Sequence, residues 1–246
     1  MAPIVFYQAG TTDACNAAAR ILSERSISFC RHPGPETTDL LLDVPSFLRP
    51  GILRSGVSFQ ELRMQLPGKI RLWGGKLQDI SKDFSAVDLL EDPGYLAANA
   101  AITADCAIRL AGPTLKTAWY DTKVLVIGWG RIGKQLAKLL RALGASVTVC
   151  ARKAPDRALL SAFGYATLEP TDLQGDGFQI IFNTAPATVM EEHAVGDCPH
   201  VIDLASQPGI PGAGVLHARG LPGIHAPETS GKLIADTLLK LMQEVH

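Results

Sequence analysis

The chain has 246 residues, a length that fits one large domain or two small ones. Hydrophobic residues make up 47% of it and charged residues 19%, which excludes intrinsic disorder as the main state. The net charge of −1, without a long basic run, argues against a dedicated nucleic-acid or anionic-membrane binder. No apolar stretch reaches the ~18–20 residues that cross a bilayer, and residues 1–7 are typical of a first strand rather than a signal peptide.

The cysteines indicate a protein of a reducing compartment, and the histidines indicate a protein without a metal site. The five cysteines are widely spaced and contain no CxxC pair, which favours a cytoplasmic location over a disulfide framework. The six histidines show no ligand spacing, so we expect no metal site.

Short apolar runs alternate with helical patterns through the first ninety residues. The pattern predicts a helix after residues 11–13, a short helix over 58–66, and strands at 4–7, 27–30, 40–44 and 69–73. Such βα alternation favours a parallel sheet with helices on its faces. We therefore predict a smaller, flavodoxin-like α/β domain over residues 1–94, on the substrate side.

Two helices are expected to frame the second domain. The turn signal Asp92-Pro93-Gly94 precedes an alanine-rich stretch, 95–110, which predicts a helix ~24 Å long. This helix bridges two domains in one interpretation and is an ordinary core helix in the other. A closing amphipathic helix is predicted over 230–246, packed back on the first domain, with one apolar stripe of Ile234, Leu238, Leu241 and Val245. Residues 95–229 would then form the linker helix and a nucleotide-binding domain.

A glycine motif lies between two strand patterns, 123–127 and 146–150, and opens a helix. A lone GxGxxG is weak evidence, but this context makes it a dinucleotide-binding fingerprint. Gly128 would allow the tight turn, Gly130 the approach of the pyrophosphate and Gly133 close helix–strand packing. The motif predicts a Rossmann-type doubly wound parallel sheet whose cofactor-binding turn is Gly128, Trp129, Gly130, Arg131, Ile132 and Gly133.

The end of the second strand favours NADP over NAD. NAD enzymes usually carry Asp or Glu at this place to bind the ribose 2′-OH. Here Cys150 is followed by Ala151, Arg152 and Lys153, without an acid. The two cations can pair with a 2′-phosphate, which a carboxylate would repel. The alternative is a pair of solvated surface charges.

Two polar segments follow later strands, and ligands of doubly wound sheets bind beyond such strand ends. We expect both segments to meet the nicotinamide ribose and amide, although simple turn capping is the alternative for either one. The segments are Asn183, Thr184, Ala185 and Pro186, and Asp203, Leu204, Ala205 and Ser206.

Residues 221–231 contain two prolines and two glycines, a composition that predicts a rigid loop leading into the closing helix. The loop is either a plain connection or a wall on the nicotinamide side of a cleft. His225 is the side chain in it that titrates near neutrality. Lys76 and Arg109 could also face a cleft, although most such charges are merely solvated.

Five motifs in the same order resemble the family of the dipicolinate synthase A subunit, over about residues 99–231. They are VLVIGWGRIGK (124–134), CARK (150–153), NTAP (183–186), IDLASQPG (202–209) and LPGIHAPETSG (221–231). The resemblance implies a two-domain architecture similar to the D-2-hydroxyacid dehydrogenases, with NADP in the cleft. It also implies oxidation of dihydrodipicolinate to dipicolinate in spore formation, with the flavoprotein B component of that synthase as partner; a homo-oligomer stays open.

The substrate side follows from the same resemblance. Asn99, Thr103 and Ser206 are expected to line the cleft, and His225 to accept a proton or bind a carboxylate. The sequence departs from the family pattern at the segment 99–106, at Gln207 in place of a basic residue, and at His225 in place of an apolar one.

Two other functions remain open at this point. One is a binding protein that holds NADP but needs its flavoprotein partner for turnover, which the altered 99–106 segment favours. The other is a relative of the D-2-hydroxyacid dehydrogenases. That family usually carries a set of Arg, Glu and His in its nucleotide-binding domain, and the candidates in this sequence, Arg157 and Glu169, lie at positions that match the set poorly.

Overall fold

The computed structural model describes residues 3–80 and 84–244, and the chain divides into two compact units. The first unit contains residues 1–99 and 222–246, and the second contains residues 100–221. Each unit has its own parallel sheet. The functional division predicted from the sequence, with a substrate-side domain and an NADP-binding domain, stays a prediction.

The first unit is an α/β sandwich with a small hairpin. Its elements up to residue 88 are β1 (Val5–Gln8), α1 (Asp13–Glu24), β2 (Ser28–Cys30), β3 (Asp39–Leu41), β4 (Phe47–Arg49), β5 (Ile52–Leu53), α2 (Phe59–Arg63), β6 (Arg71–Gly74) and β7 (Ser85–Asp88). Among the described residues, five strands form a parallel sheet in the order β2-β1-β3-β6-β7, and β4 pairs with β5 antiparallel. In the sheet's own numbering this is 2-1-3-4-5, the flavodoxin-like order.

The next helix, α3 (Pro93–Ala111), begins earlier than predicted. Asp92-Pro93-Gly94 is therefore the start of the helix rather than a separate turn. Proline fits the first helical position, where its missing N–H would have no partner. The Asp92 carboxylate accepts a hydrogen bond from Tyr95 N at 2.7 Å and caps the helix. The division between the two units falls within α3, between Asn99 and Ala100.

The second unit is a six-stranded parallel sheet in its described residues. Its elements are β8 (Lys123–Ile127), α4 (Arg131–Ala142), β9 (Ser146–Cys150), α5 (Ala154–Ala162), β10 (Ala166–Leu168), β11 (Ile180–Asn183), β12 (Val201–Asp203) and β13 (Val215–His217). The strand order is β10-β9-β8-β11-β12-β13, which is 3-2-1-4-5-6 in the unit's own numbering. This is the Rossmann order. The predicted fold class, a Rossmann-type sheet with a second flavodoxin-like domain, is confirmed.

The predicted loop over 221–231 is wrong, because two helices occupy it: α6 (Leu221–His225) and the start of α7 (Pro227–Glu244). Pro222 and Pro227 both lie in a first helical turn, where proline is tolerated. The closing helix thus begins before residue 230. Val245 of its predicted stripe lies outside the described residues.

Helix α7 packs on α1 within the first unit. At Gly231 an added Cβ would come within 2.5 Å of the Ala17 Cβ, so the two backbones approach closely. Ile234 and Leu238 of the predicted stripe are buried in the core beside Phe6 and Trp73. In the described part of the chain, no helix combines the length and apolar character that crossing a membrane requires.

Candidate functional site

The carboxyl ends of four neighbouring strands form one row at an edge of the second sheet. Ile127 pairs with Cys150 on one side and with Asn183 on the other, and Asn183 pairs with Asp203. The strand order reverses between β8 and β11, which is where doubly wound sheets bind ligands. The register therefore brings the four predicted cofactor-binding segments of this unit to the same edge.

The turn after β8 requires two of its glycines. Gly128 has a φ of +101°, and an added Cβ would lie 2.7 Å from the Thr184 hydroxyl oxygen. At Gly133 an added Cβ would lie 2.1 Å from the Gly128 carbonyl oxygen. The Thr184 hydroxyl donates to the carbonyl oxygen of Ile127 at 2.9 Å and so helps hold the turn. These contacts support the roles expected for Gly128 and Gly133.

The start of α4 has the features of an anion-binding site. Gly130 is its N-cap and supplies no side-chain hydrogen bond, and the first turn contains no acid. The first helical bond in this turn runs from Lys134 N to Gly130 O, so the N–H groups of residues 131–133 precede the intrahelical bonds. A Cβ at Gly130 would meet nothing within 4 Å, which leaves room for a ligand beside the main chain. The geometry fits a pyrophosphate.

The side chains of this turn differ in their surroundings. Arg131 is exposed, and Ile132 is half-buried. Trp129 packs edge-on against Tyr165 with ring centroids 6.0 Å apart, and the Lys134 ammonium lies 5.7 Å from the indole centroid. The buried Trp129 Nε1 has no hydrogen-bond partner in the described residues. An indole N–H usually finds a partner when it is buried, so this unpaired donor is unusual.

The loop after β9 carries the two predicted 2′-phosphate ligands. Arg152 and Lys153 are exposed, and neither side chain forms an ion pair within the described ranges. Ala151 is buried, and its N–H donates to the Leu168 carbonyl at 3.1 Å. The loop therefore presents two unneutralised cations on a fixed main chain.

Arg157 holds this loop, a role that the sequence analysis missed. Its Nη1 donates to the carbonyl oxygens of Ala151 and Arg152, at 2.9 Å each, and its Nη2 donates to Glu169 at 3.1 Å. Burial raises the pKa of the neighbouring Cys150 thiol to about 11, an effect that the Arg157 charge partly opposes. Cys150 is thus a protonated core group rather than a nucleophile.

Asn183 and Asp203 form a buried network behind the other two loops. Asn183 Nδ2 donates to Asp203 Oδ1 at 3.1 Å, and Asn183 Oδ1 accepts from Ala185 N at 3.0 Å. Asp203 also accepts from Ala205 N at 2.9 Å and from Gly209 N at 2.7 Å. Both side chains are at most 1% exposed. They therefore shape the loops that carry the site.

Other atoms of these loops reach solvent. Pro186 and Ser206 are exposed, Thr184 and Ala185 are half-buried, and Leu204 is buried with its N–H bonded to the Asn183 carbonyl. His217, another residue that the sequence analysis missed, lies at the end of β13 with Nδ1 3.9 Å from Asp203 Oδ2. That separation exceeds a hydrogen bond.

The four predicted substrate-side residues are divided between the two units. Thr103 is buried in α3, and Ser206 follows β12; both belong to the second unit. Asn99, half-buried in α3, and His225, exposed at the end of α6, belong to the first unit. Asn99 and Thr103 are four residues apart on one helix and so share a face. Their part in a common site stays a prediction.

Comparisons with known proteins agree with this geometry. Residues 108–197 match the sequence model of a family described as D-isomer specific 2-hydroxyacid dehydrogenase, NAD binding domain. The A subunit of dipicolinate synthase from Bacillus subtilis (strain 168) is 31% identical in an alignment of 173 residues, which covers 65% of this chain and 58% of that protein. The chain is similar to the dipicolinate synthase A subunit. The resemblance predicted from the motifs is confirmed.

Two crystal structures of the dipicolinate synthase A subunit share the fold. The Bacillus halodurans structure has a TM-score of 0.83 at 24% identity and covers 98% of each chain. The Bacillus subtilis structure has a TM-score of 0.81 at 23% identity, over all of this chain and 97% of that one. The sequence match to the curated relative spans less than two thirds of that protein's length. The chain therefore shares the fold of these two structures, and residues 108–197 share the sequence pattern of an NAD-binding domain.

Proposed function

We propose that this chain oxidises dihydrodipicolinate to dipicolinate with NADP, in the cytoplasm of a spore-forming cell, beside a flavoprotein partner. The proposal rests on two features that lie close together in the fold. The first N–H groups of α4 receive no side-chain hydrogen bond from the N-cap residue, and the nearby Arg152 and Lys153 form no ion pair in the described residues. The sequence similarity to the dipicolinate synthase A subunit supports the substrate, and the five free cysteines fit a reducing compartment.

Three parts of the cofactor would each meet a group at the edge of the second sheet: the pyrophosphate, the 2′-phosphate and the nicotinamide end. The turn from Gly128 to Gly133 would hold the pyrophosphate against the first N–H groups of α4. Arg152 and Lys153 would bind the 2′-phosphate by charge-assisted hydrogen bonds. The loops that follow β11 and β12 would hold the nicotinamide end, with Asn183 and Asp203 keeping the loops in place.

In this reaction the main task of the protein would be to position the substrate ring against the nicotinamide. When bound, NADP⁺ supplies the hydride acceptor. The substrate loses a hydride from one ring carbon and a proton from the ring, and the formation of an aromatic pyridine drives the step. Asn99, Thr103 and Ser206 would orient the two carboxylates and exclude water. His225 would take the proton or bind a carboxylate, or else be a local variation.

A second candidate function rests on the departures at 99–106, Gln207 and His225. These changes would fall on the expected substrate side and leave the proposed cofactor-binding edge unaltered. A chain altered in this way would hold NADP but depend on its flavoprotein partner for turnover. A relative of the D-2-hydroxyacid dehydrogenases is the third candidate, and the use of Arg157 to hold a loop argues against it.

The deciding experiment follows dipicolinate and NADPH formation from dihydrodipicolinate, first with this chain alone and then with a candidate flavoprotein partner added. Equal amounts of dipicolinate and NADPH from the chain alone support the proposed reaction. Product that forms only with the flavoprotein supports the second candidate. No dipicolinate in either mixture, together with NADPH-dependent reduction of a 2-oxo acid, would overturn both in favour of a 2-hydroxyacid dehydrogenase.

A further inference from the structure

One surface of the second unit, formed around α4 and α5, combines exposed apolar side chains with cations. It contains Tyr120, Leu143 and Phe163, together with Lys138 and Arg141, and is termed the α4–α5 patch. We propose that this patch docks an acidic surface of a partner protein. The proposal rests on the proposed function in one respect, because it takes the flavoprotein of that function as the partner.

The apolar side chains of the α4–α5 patch are neighbours. Tyr120 is 77% exposed and Phe163 is 54% exposed. An added Cβ at Gly144, the residue after Leu143, would lie 3.0 Å from the Tyr120 Cβ. The Phe163 N–H bonds to the Leu159 carbonyl at 3.0 Å, so exposed Leu159 extends the apolar surface along α5. Groups of large apolar side chains on a surface often mark protein-binding sites.

Arg141 joins the two ends of the α4–α5 patch and is itself held in place. Its Nη1 donates to the Phe163 carbonyl oxygen, and its guanidinium lies 4.9 Å from the centroid of the Tyr165 ring. Its own carbonyl accepts from Gly144 N at 3.0 Å. Arginine and aromatic residues are enriched at protein interfaces, and a guanidinium that is already ordered loses less entropy when a partner binds.

The charge around the α4–α5 patch has one sign. Residues 123–153 contain seven cations and no acid, and all seven side chains are exposed. Within the described residues none of the seven forms an ion pair. They are Lys123, Arg131, Lys134, Lys138, Arg141, Arg152 and Lys153. Three of them belong to the proposed cofactor site, which leaves four for another anionic surface.

The acids of the same unit lie on the other side of its sheet. Residues 158–218 contain seven acids and neither lysine nor arginine. Most of these acids lie in the two crossovers from β10 to β11 and from β11 to β12, which run along the sheet in the direction opposite to α4 and α5. Right-handed crossovers that run in opposite directions cover opposite faces of a sheet.

This separation of charge favours a different protein over a second copy. A two-fold axis through the α4–α5 patch would bring the same cations of two copies together, because both copies use the same surface. Like charges that face each other across an interface oppose association, whereas an acidic surface would be attracted to Lys138 and Arg141. The occupant that fits is therefore a protein with acidic residues around an apolar centre.

The test measures binding of the candidate flavoprotein partner to the immobilised chain at low and high salt, with NADP⁺ present. The patch variants are Tyr120→Ser, Phe163→Ser and Lys138→Glu. The matched controls change the first unit: Met64→Ser removes a side chain that is 76% exposed, and Lys69→Glu reverses an exposed charge. Melting temperature and NADP⁺ affinity are measured to show that each variant folds, and sedimentation velocity gives the oligomeric state.

We expect Tyr120→Ser and Phe163→Ser each to bind the flavoprotein at least ~10-fold more weakly. Lys138→Glu should associate more slowly and lose part of the salt dependence that the wild type shows. Both controls should bind as the wild type does.

Equal affinity in the patch variants and the controls would overturn the docking surface and leave the proposed reaction standing. A wild type that does not bind the flavoprotein would also overturn it, although dipicolinate formation by the chain alone would still support that reaction. A wild-type dimer that Tyr120→Ser dissociates would show that the patch joins two copies instead. Loss of binding in the patch variants, with no dipicolinate formed by any mixture, would keep the docking surface and overturn the reaction.

Discussion

Arg157 is bonded to the main chain of Arg152: its Nη1 donates to the Arg152 carbonyl oxygen at 2.9 Å. The same Nη1 donates to Ala151, and Nη2 donates to Glu169. The Arg157 side chain is 22% exposed, so these charge-assisted bonds are partly shielded from water. A cation that would not touch the cofactor thus fixes the loop that would bind the 2′-phosphate.

Arg157→Ala should weaken NADP binding through this loop. Two carbonyl oxygens would lose their donor, and we expect the free energy of unfolding to fall by ~1–3 kcal/mol. With the loop less ordered, NADP affinity should fall ~3–10-fold, and NAD affinity less. Urea denaturation and calorimetry measure both. Glu169→Ala is the control, because it leaves the two carbonyl bonds in place; an equal loss in both variants would contradict the role assigned to the carbonyl contacts.

Arg152 and Lys153 should make the chain selective for NADP. A charge-assisted contact to phosphate contributes ~1.5–3 kcal/mol, so NADP should bind at least ~10-fold more tightly than NAD. Arg152→Ala should weaken NADP far more than NAD, and Lys153→Ala should do so to a smaller or similar extent. Lys138→Ala, at another exposed cation in α4, should change neither affinity. Equal calorimetric affinities of the wild type for NADP and NAD would contradict the assignment.

Gly130 and Gly133 should respond differently to a single added methyl group. Gly133→Ala places a Cβ 2.1 Å from a carbonyl oxygen, so the turn must shift and the melting temperature should fall. Gly130→Ala meets open space with an ordinary φ of −82°, so the protein should fold as before. Its methyl group would occupy the room proposed for the pyrophosphate, and NADP affinity should drop ~10-fold or more. Unchanged NADP affinity in Gly130→Ala would place the pyrophosphate elsewhere.

The sequence predicted elements best where the local sequence pattern and the burial of the element agree. The charge-free core of β8, the glycine turn and the strand ending at Cys150 were predicted with their observed bounds, because a central parallel strand is a continuous apolar run. The β4–β5 hairpin was missed, and the strands of the two parallel sheets that were missed, β7, β10 and β13, all lie at sheet edges. An edge strand is three or four residues long here and half-exposed, so its pattern resembles a loop.

The candidate site was predictable in outline but not in its hydrogen bonds. Asn183 and Asp203 were found because polar residues after a buried strand are unusual. Their mutual bond and the Asp203 contacts to Gly209 arise from tertiary packing, which no spacing in the chain reveals. Helix α5 was not predicted; its Pro155 lies in the first turn, where proline is tolerated.

The ion pair between Asp92 and Lys240 should make the free energy of unfolding depend on pH in the acidic range. Nζ of Lys240 lies 2.8 Å from Asp92 Oδ2, and the Asp92 side chain is 7% exposed. The hydrogen bond from Lys240, with that from Tyr95 N, lowers the pKa of Asp92 below its usual value. A carboxyl with a lowered folded-state pKa stabilises the fold above the unfolded pKa of ~3.9 and loses that effect as the pH falls through the folded value.

Lys240→Met should therefore be less stable than the wild type at pH 7, and the difference should shrink as the pH falls below ~4. Chemical denaturation at a series of pH values measures it. Lys232→Met removes an exposed i,i+4 pair with Asp236 and should have little effect at any pH. A Lys240→Met deficit that stays constant into strong acid would mean that Lys240 acts through packing rather than through Asp92.

His225 tests how far the substrate side follows the family pattern. It is exposed at the end of α6, between prolines that lie in the first turns of α6 and α7, and it replaces a residue that is usually apolar in the resembling family. If it were the general base, His225→Ala would reduce turnover ~10²–10⁴-fold. We expect instead a change within a few-fold, because a reaction common to a family should not depend on a side chain that the family lacks. Steady-state kinetics with dihydrodipicolinate, alongside NADP affinity and melting temperature, measure the effect. A hundredfold drop in kcat at unchanged NADP affinity would show that this chain has acquired its own proton acceptor at His225.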